Sequence, residues 1–144
     1  MGRDVCEHDP MASCYHDCDP CGPLPADRGL VYIAGPYTHP DPVENTRKAI
    51  DAWQVLMDAG FTPIVPHLSL FTHLVYPHPP EYWYEYDLRL LDRCDIMLRL
   101  PGESWGADRE EEHARELGIT VHHMTAEEFV ERYGTSGDFF RATP

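Results

Sequence analysis

The chain has 144 residues, 42% of them hydrophobic and 25% charged, enough for one domain with a buried core and too apolar for a disordered polymer. Its formal charge of −14 argues against a general binder of polymeric nucleic acid, while one small anionic ligand can still be held by local donors. No apolar run spans a membrane and the N-terminus lacks an apolar signal core, so a cytoplasmic protein is expected.

Residues 1–28 read as a Cys/His-rich N-terminal extension without apolar periodicity. Cys6, Cys14, Cys18 and Cys21, with His8 and His16 among them, suit a structural zinc, although only Cys18-Asp-Pro-Cys21 has the usual ligand-pair spacing. A tail with unligated thiols is the other reading.

An α/β domain is expected over residues 29–134, followed by a C-terminal tail, 135–144. Leu30-Val-Tyr-Ile-Ala34 is an apolar run ended by Gly35-Pro36 and reads as a buried parallel strand. Residues 42–59 read as a helix, opened by Pro42 and closed by Gly60, with Ile50, Trp53, Leu56 and Met57 as its buried stripe. Residues 61–65 form the second strand. A Pro-, His- and aromatic-rich loop is expected over 66–80, long enough to serve as a lid or binding loop. Its His67, His73 and His78 have spacings that fit no standard metal site.

The next helix, 81–94, carries Trp83, Leu90, Leu91 and Cys94 on one side, and Asp87 shares that side. A third strand follows at 95–100. A helix is expected over 107–117, with Ala107, Ala114 and Leu117 buried and Glu110 on the same face. Its first turn would keep that carboxylate ionised through the helix dipole. A short strand at 119–121 and a helix at 126–133, capped by Thr125, complete the domain. The pattern predicts an α/β fold, a Rossmann-like (flavodoxin-like) parallel sheet of four to five strands with helices on both faces.

Two inward carboxylates from different helices suit acid and base work at a glycosidic bond. Glu110 is the candidate nucleophile and Asp87 the proton shuttle or orienting group. Glu111 is the rival position. The turn from Ser104 to Arg109 offers N–H groups to an anion, and the Ser104 hydroxyl adds a donor. Tyr37, Tyr82 and Trp83 are candidates to flank a base, or else rim aromatics.

Three segments carry a family resemblance. Tyr32-Ile-Ala-Gly-Pro-Tyr37, Tyr84-Glu-Tyr-Asp-Leu88 with Cys94-Asp-Ile-Met97, and Ser104-Trp-Gly-Ala-Asp-Arg-Glu110 with Ala114 resemble, in this order, motifs of the nucleoside 2-deoxyribosyltransferase superfamily. The third is similar to the nucleophile motif, with Gly106 four residues before Glu110 and Ala114 four after. The resemblance implies catalytic Glu110 and Asp87, and the expected substrate contacts are Gly35, Tyr37, Trp83, Ser104, Gly106 and Asp108. Ser104 matches the phosphate-contacting serine of the nucleoside 5′-monophosphate N-glycosidase branch. Thr38-His39 stands where that branch carries a basic residue, and Arg47 and Arg109 are the candidates to replace it.

The expected activity is cleavage of a nucleotide or nucleoside through a covalent glycosyl-glutamate. Deoxyribosyl transfer between bases and a non-catalytic nucleotide sensor are the alternatives. No cofactor is expected for catalysis. The expected partners are a small nucleotide or nucleoside and, by resemblance, further copies of the chain.

Overall fold

A computed structural model describes residues 26–134. Four strands, β1 (Leu30–Ala34), β2 (Thr62–Ile64), β3 (Ile96–Arg99) and β4 (Thr120–His123), form one parallel sheet in the order β2-β1-β3-β4. This is the flavodoxin-like order as far as its fourth strand, and its switch point falls between β1 and β3.

Five helices connect and cover the strands: α1 (Pro42–Asp58), α2 (Ser69–Val75), α3 (Pro80–Leu91), α4 (Trp105–Glu116) and α5 (Ala126–Tyr133). Strand alternation divides the core in two. Val31, Ile33, Ile96 and Leu98 face α1 and α5, where they meet Ala49, Ala52, Leu56, Phe129 and Tyr133. Tyr32, Ala34 and Met97 face the other way, onto Leu91, Cys94, Ala107 and Ala114. Helices therefore lie on both faces, as expected.

Several local expectations are corrected. The 66–80 loop contains a 3-10 turn at Pro66–Leu68 and the helix α2. No α2 residue is buried, so no amphipathic stripe marked it in the sequence. On α1 the buried residues are Asn45, Thr46, Ala49, Ala52 and Leu56, while Ile50 turns outward. Small side chains let α1 approach the sheet closely. Leu117 is the C-cap of α4 and is exposed.

The strand-end loops after β1 and β3 interlock. Gly102 has φ +118°, and a Cβ there would stand 2.6 Å from Pro36 Cγ. Gly35 packs so closely that an added Cβ would meet Leu100 Cβ at 3.2 Å. The two glycines hold the Gly35-Pro36 and 100–102 turns together at the switch point. Arg28 ties the domain's ends by donating to the carbonyl oxygens of Tyr133 and Gly134. Among the described residues, no helix is long and apolar enough to cross a membrane.

Candidate active site

Glu110 is 9% exposed, on the face of α4 that packs against the sheet. Ser104 caps α4 by accepting from the Ala107 N–H, so the helix starts at Trp105, two residues earlier than expected. Glu110 thus lies in the second turn, beyond the reach of most of the dipole's help. Burial raises its pKa from 4.5 to about 7. Two opposing influences limit the rise: the Tyr32 hydroxyl donates to Glu110 Oε1 at 2.9 Å, and the Arg99 cation acts through space. The ionised form is thus favoured by a phenol and an arginine more than by the helix terminus.

Asp87, on α3, is the second carboxyl. Burial, then the Glu110 charge, raises its pKa to about 8. Its Oδ1 is buried without a hydrogen-bond partner. It makes no ion pair with Arg89 or Arg93; the Arg93 side chain donates to the Arg89 carbonyl instead. The two carboxyls are coupled through the Glu110 charge, and their protons come off in two steps that belong to the pair. Glu111, the rival position, is half-buried and pairs with Arg115 and His123.

Tyr32 was legible only as part of an apolar strand. Its hydroxyl belongs to a fully buried ring, and a buried phenol needs a partner. Burial, then the neighbouring Glu110 charge, holds its pKa well above the ordinary value, so it stays a donor. Arg99, a charged residue inside a buried strand, is the second group that sequence reasoning passed over.

The other expected substrate contacts are dispersed. Ser104 caps α4 through its oxygen, leaving the hydroxyl hydrogen to reach outward. Gly106 is next to it in the first turn, and a Cβ there would meet no protein atom within 4 Å. The Asp108 carboxylate accepts from Arg99 at 2.9 Å, so it braces α4. Gly35 serves the packing described above. Tyr37, 37% exposed, sets its ring edge-on to His67 at 5.9 Å.

Trp83 is held in an aromatic and histidine cluster. Its indole N–H donates to His73 Nδ1 at 2.8 Å, and the His78 backbone N–H donates to the same atom. Tyr82 stacks on the His78 ring at 3.8 Å. His73 and His78 thus pack with Trp83 and Tyr82. Arg109 stacks over the rings of Tyr84 and Trp105 at 4.1 and 4.5 Å.

A cleft of about 800 Å³ opens at the switch point, between the β1 and β3 loops, α1 and the start of α5. Asn45, Lys48, His67 and Glu103 are among its lining residues. Neither Glu110 nor Asp87 borders it, because they belong to the opposite side of the sheet. Burial, charge and hydrogen bonding converge instead at the carboxyl pair on the α3–α4 side.

Cys6, Cys14, Cys18 and Cys21 lie outside the described residues. Among the described residues, no group of three or more His, Cys, Asp and Glu side chains is arranged to hold a metal ion.

A flavodoxin-like parallel sheet with two coupled carboxyls on one covered face defines the class. Residues 29–124 match the family model described as a domain of unknown function (DUF7768), and the chain belongs to that family. No curated protein matches it. Among solved structures, the 2-desoxiribosyltransferase from Leishmania mexicana is similar, at 19% identity and a TM-score of 0.51. The match covers 65% of this chain and 62% of that one. The 2-deoxyribosyltransferase from the psychrotolerant bacterium Bacillus psychrosaccharolyticus is similar at 22% identity, with a TM-score of 0.49, over 65% of this chain and 70% of that one. At these identities the likeness is one of fold.

Proposed function

We propose that the protein cleaves the N-glycosidic bond of a (deoxy)nucleoside or its 5′-monophosphate through a covalent glycosyl-Glu110 intermediate. The observation that carries this is the coupled carboxyl pair on the α3–α4 side of the sheet: Glu110, buried and bonded to Tyr32, and Asp87, half-buried with its Oδ1 unpartnered, both raised above the ordinary carboxyl range. The Leishmania protein bears the name of a 2-desoxiribosyltransferase, and its fold likeness supports glycosyl chemistry on this scaffold.

In the first step, Glu110 attacks the anomeric carbon as the carbon–nitrogen bond breaks. The departing base takes the Asp87 proton. In the second step, water attacks the same carbon, Asp87 takes its proton, and Glu110 leaves as a carboxylate. The Tyr32 hydroxyl steadies the Glu110 anion before attack and again as it leaves the anomeric carbon. The Ser104 hydroxyl, at the start of α4, is the proposed donor to a 5′-phosphate.

The test is chromatography of free base released from a panel of nucleosides and nucleoside monophosphates, with and without an added acceptor base. Base release without an acceptor, abolished in Glu110→Ala, supports the hydrolase. A new nucleoside formed only with the acceptor supports the transferase instead. No turnover of any member of the panel overturns both.

Exposed Phe71, Leu74, Val75 and Tyr76 on and beside α2, with Tyr82 and Tyr86 on α3, support a homo-oligomer as part of this proposal. Sedimentation of the full chain tests that part. The proposed chemistry requires no metal, so a chelator should leave turnover unchanged. Metal analysis of the full chain tests the N-terminal zinc separately.

A further inference from the structure

Arg99 is 5% exposed, at the end of a central strand. Alternation along β3 turns it to the same side as Met97, the side of Tyr32, α3 and α4. Its register partner on β1 is Ala34, whose small side chain leaves room for a long neighbour. A buried guanidinium on a core strand is costly unless its donors and its charge are used. One Nη donates to the Leu100 carbonyl at 2.8 Å; the other donates to the Gly102 carbonyl at 3.1 Å and to Asp108 at 2.9 Å. Its Nε is buried without a partner.

These bonds join the end of β3, the glycine turn that packs on Pro36, and the first turn of α4. Glu110 stands two residues beyond Asp108 on that helix. The Tyr32 hydroxyl from β1 bonds Glu110, the Arg99 charge from β3 acts on it through space, and the Glu110 charge acts on Asp87 from α3, while Asp108 lies two residues before it on α4. Cys94, near Tyr32, is held neutral by burial. Tyr32 is neutral, and Arg99 is the cation that acts on Glu110. We propose that Arg99 is a positioning residue, fixing the place of Glu110 through the 100–102 turn and Asp108 and favouring its anionic form. The proposal rests on the reading of Glu110 as nucleophile, but its test does not.

The experiment follows the Glu110 carboxyl by carbon-13 NMR titration in the full chain. Arg99→Met should move that titration upward by about one unit, as expected on losing a nearby opposite charge. The rate at pH 7 should fall roughly fivefold and recover in part as the pH rises. Arg99→Lys should keep the titration near that of the parent, while kcat falls through a looser turn. Asp108→Asn is exposed and should fold normally; it leaves Arg99 less neutralised, so Glu110 should titrate lower. An unmoved Glu110 titration in a folded Arg99→Met protein overturns the proposal. If that variant does not fold, an unmoved or upward titration in Asp108→Asn overturns it instead. Both titrations are read without turnover, so a protein inactive on every substrate still decides the role of Arg99.

Discussion

The Tyr32 hydroxyl donates to Glu110 Oε1 across 2.9 Å, joining the middle of β1 to the second turn of α4. Both side chains are buried, so the bond is made where water does not compete for it. Tyr32→Phe removes the donor and keeps the ring. It should cost about 1–3 kcal/mol in urea unfolding, as for a hydrogen bond to a charged group. The acid limb of the pH–rate profile should move up, because the Glu110 anion loses a donor. A profile identical to the parent's would deny the phenol this role.

The two carboxyls predict a narrow bell of activity. The rate should rise near pH 7 as the pair loses its first proton and fall near pH 8 as it loses the second. These limbs belong to the interacting pair. Glu110→Gln should lower kcat by about a thousandfold or more, and Asp87→Asn should remove the alkaline limb. Glu111→Gln should retain activity, since that carboxylate serves Arg115 and His123.

Asp87 should also shape stability against pH. Its folded pKa of about 8 lies above the usual carboxyl value of 3.8. Between those limits the folded state binds more protons than the unfolded state, so stability falls as the pH rises. Asp87→Asn removes that slope and should stabilise the fold above pH 8 by about 1–3 kcal/mol. Denaturant midpoints at pH 5 and pH 9 measure the difference. An equal slope in parent and variant would contradict the burial of this group.

Gly106 separates packing from function. A Cβ at this position meets no protein atom within 4 Å. Gly106→Ala should therefore raise stability by up to about 0.5 kcal/mol through better helix propensity. If a ligand approaches the first turn of α4, the same change should raise KM. Higher stability with unaltered kinetics would remove Gly106 from the site.

Gly102 makes the opposite case. Its φ of +118° and the approach of Pro36 leave no space for a side chain. Gly102→Ala should cost about 1–3 kcal/mol in thermal or denaturant unfolding. A neutral outcome would mean that the two strand-end loops shift apart freely.

The order of strands and helices was legible because short apolar runs alternate with amphipathic stretches closed by Gly and Pro. Glu110 and Asp87 were legible for a related reason: each interrupts an apolar stripe at helical spacing. Helix α2 was not, since apolar residues surround it without choosing a side. Tyr32 and Arg99 were hidden inside strands that read as uniformly buried. A phenol and a guanidinium in such runs imply partners, but their partners are distant in sequence and only the register of β1 against β3 brings them to α4. Spacing points to the helix start as what keeps Glu110 ionisable, whereas the structure adds two side chains from the sheet, Tyr32 and Arg99. The N-terminal cysteines fall outside the described residues.

The cleft at the switch point and the carboxyl pair lie on opposite sides of one sheet. A compound could fill the cleft, raise the melting temperature and still never meet Glu110. Ligand screens scored by thermal upshift alone would then rank occupants of the cleft ahead of ligands of the carboxyl pair. For this chain, product analysis must accompany any affinity measurement before a hit is treated as substrate or inhibitor.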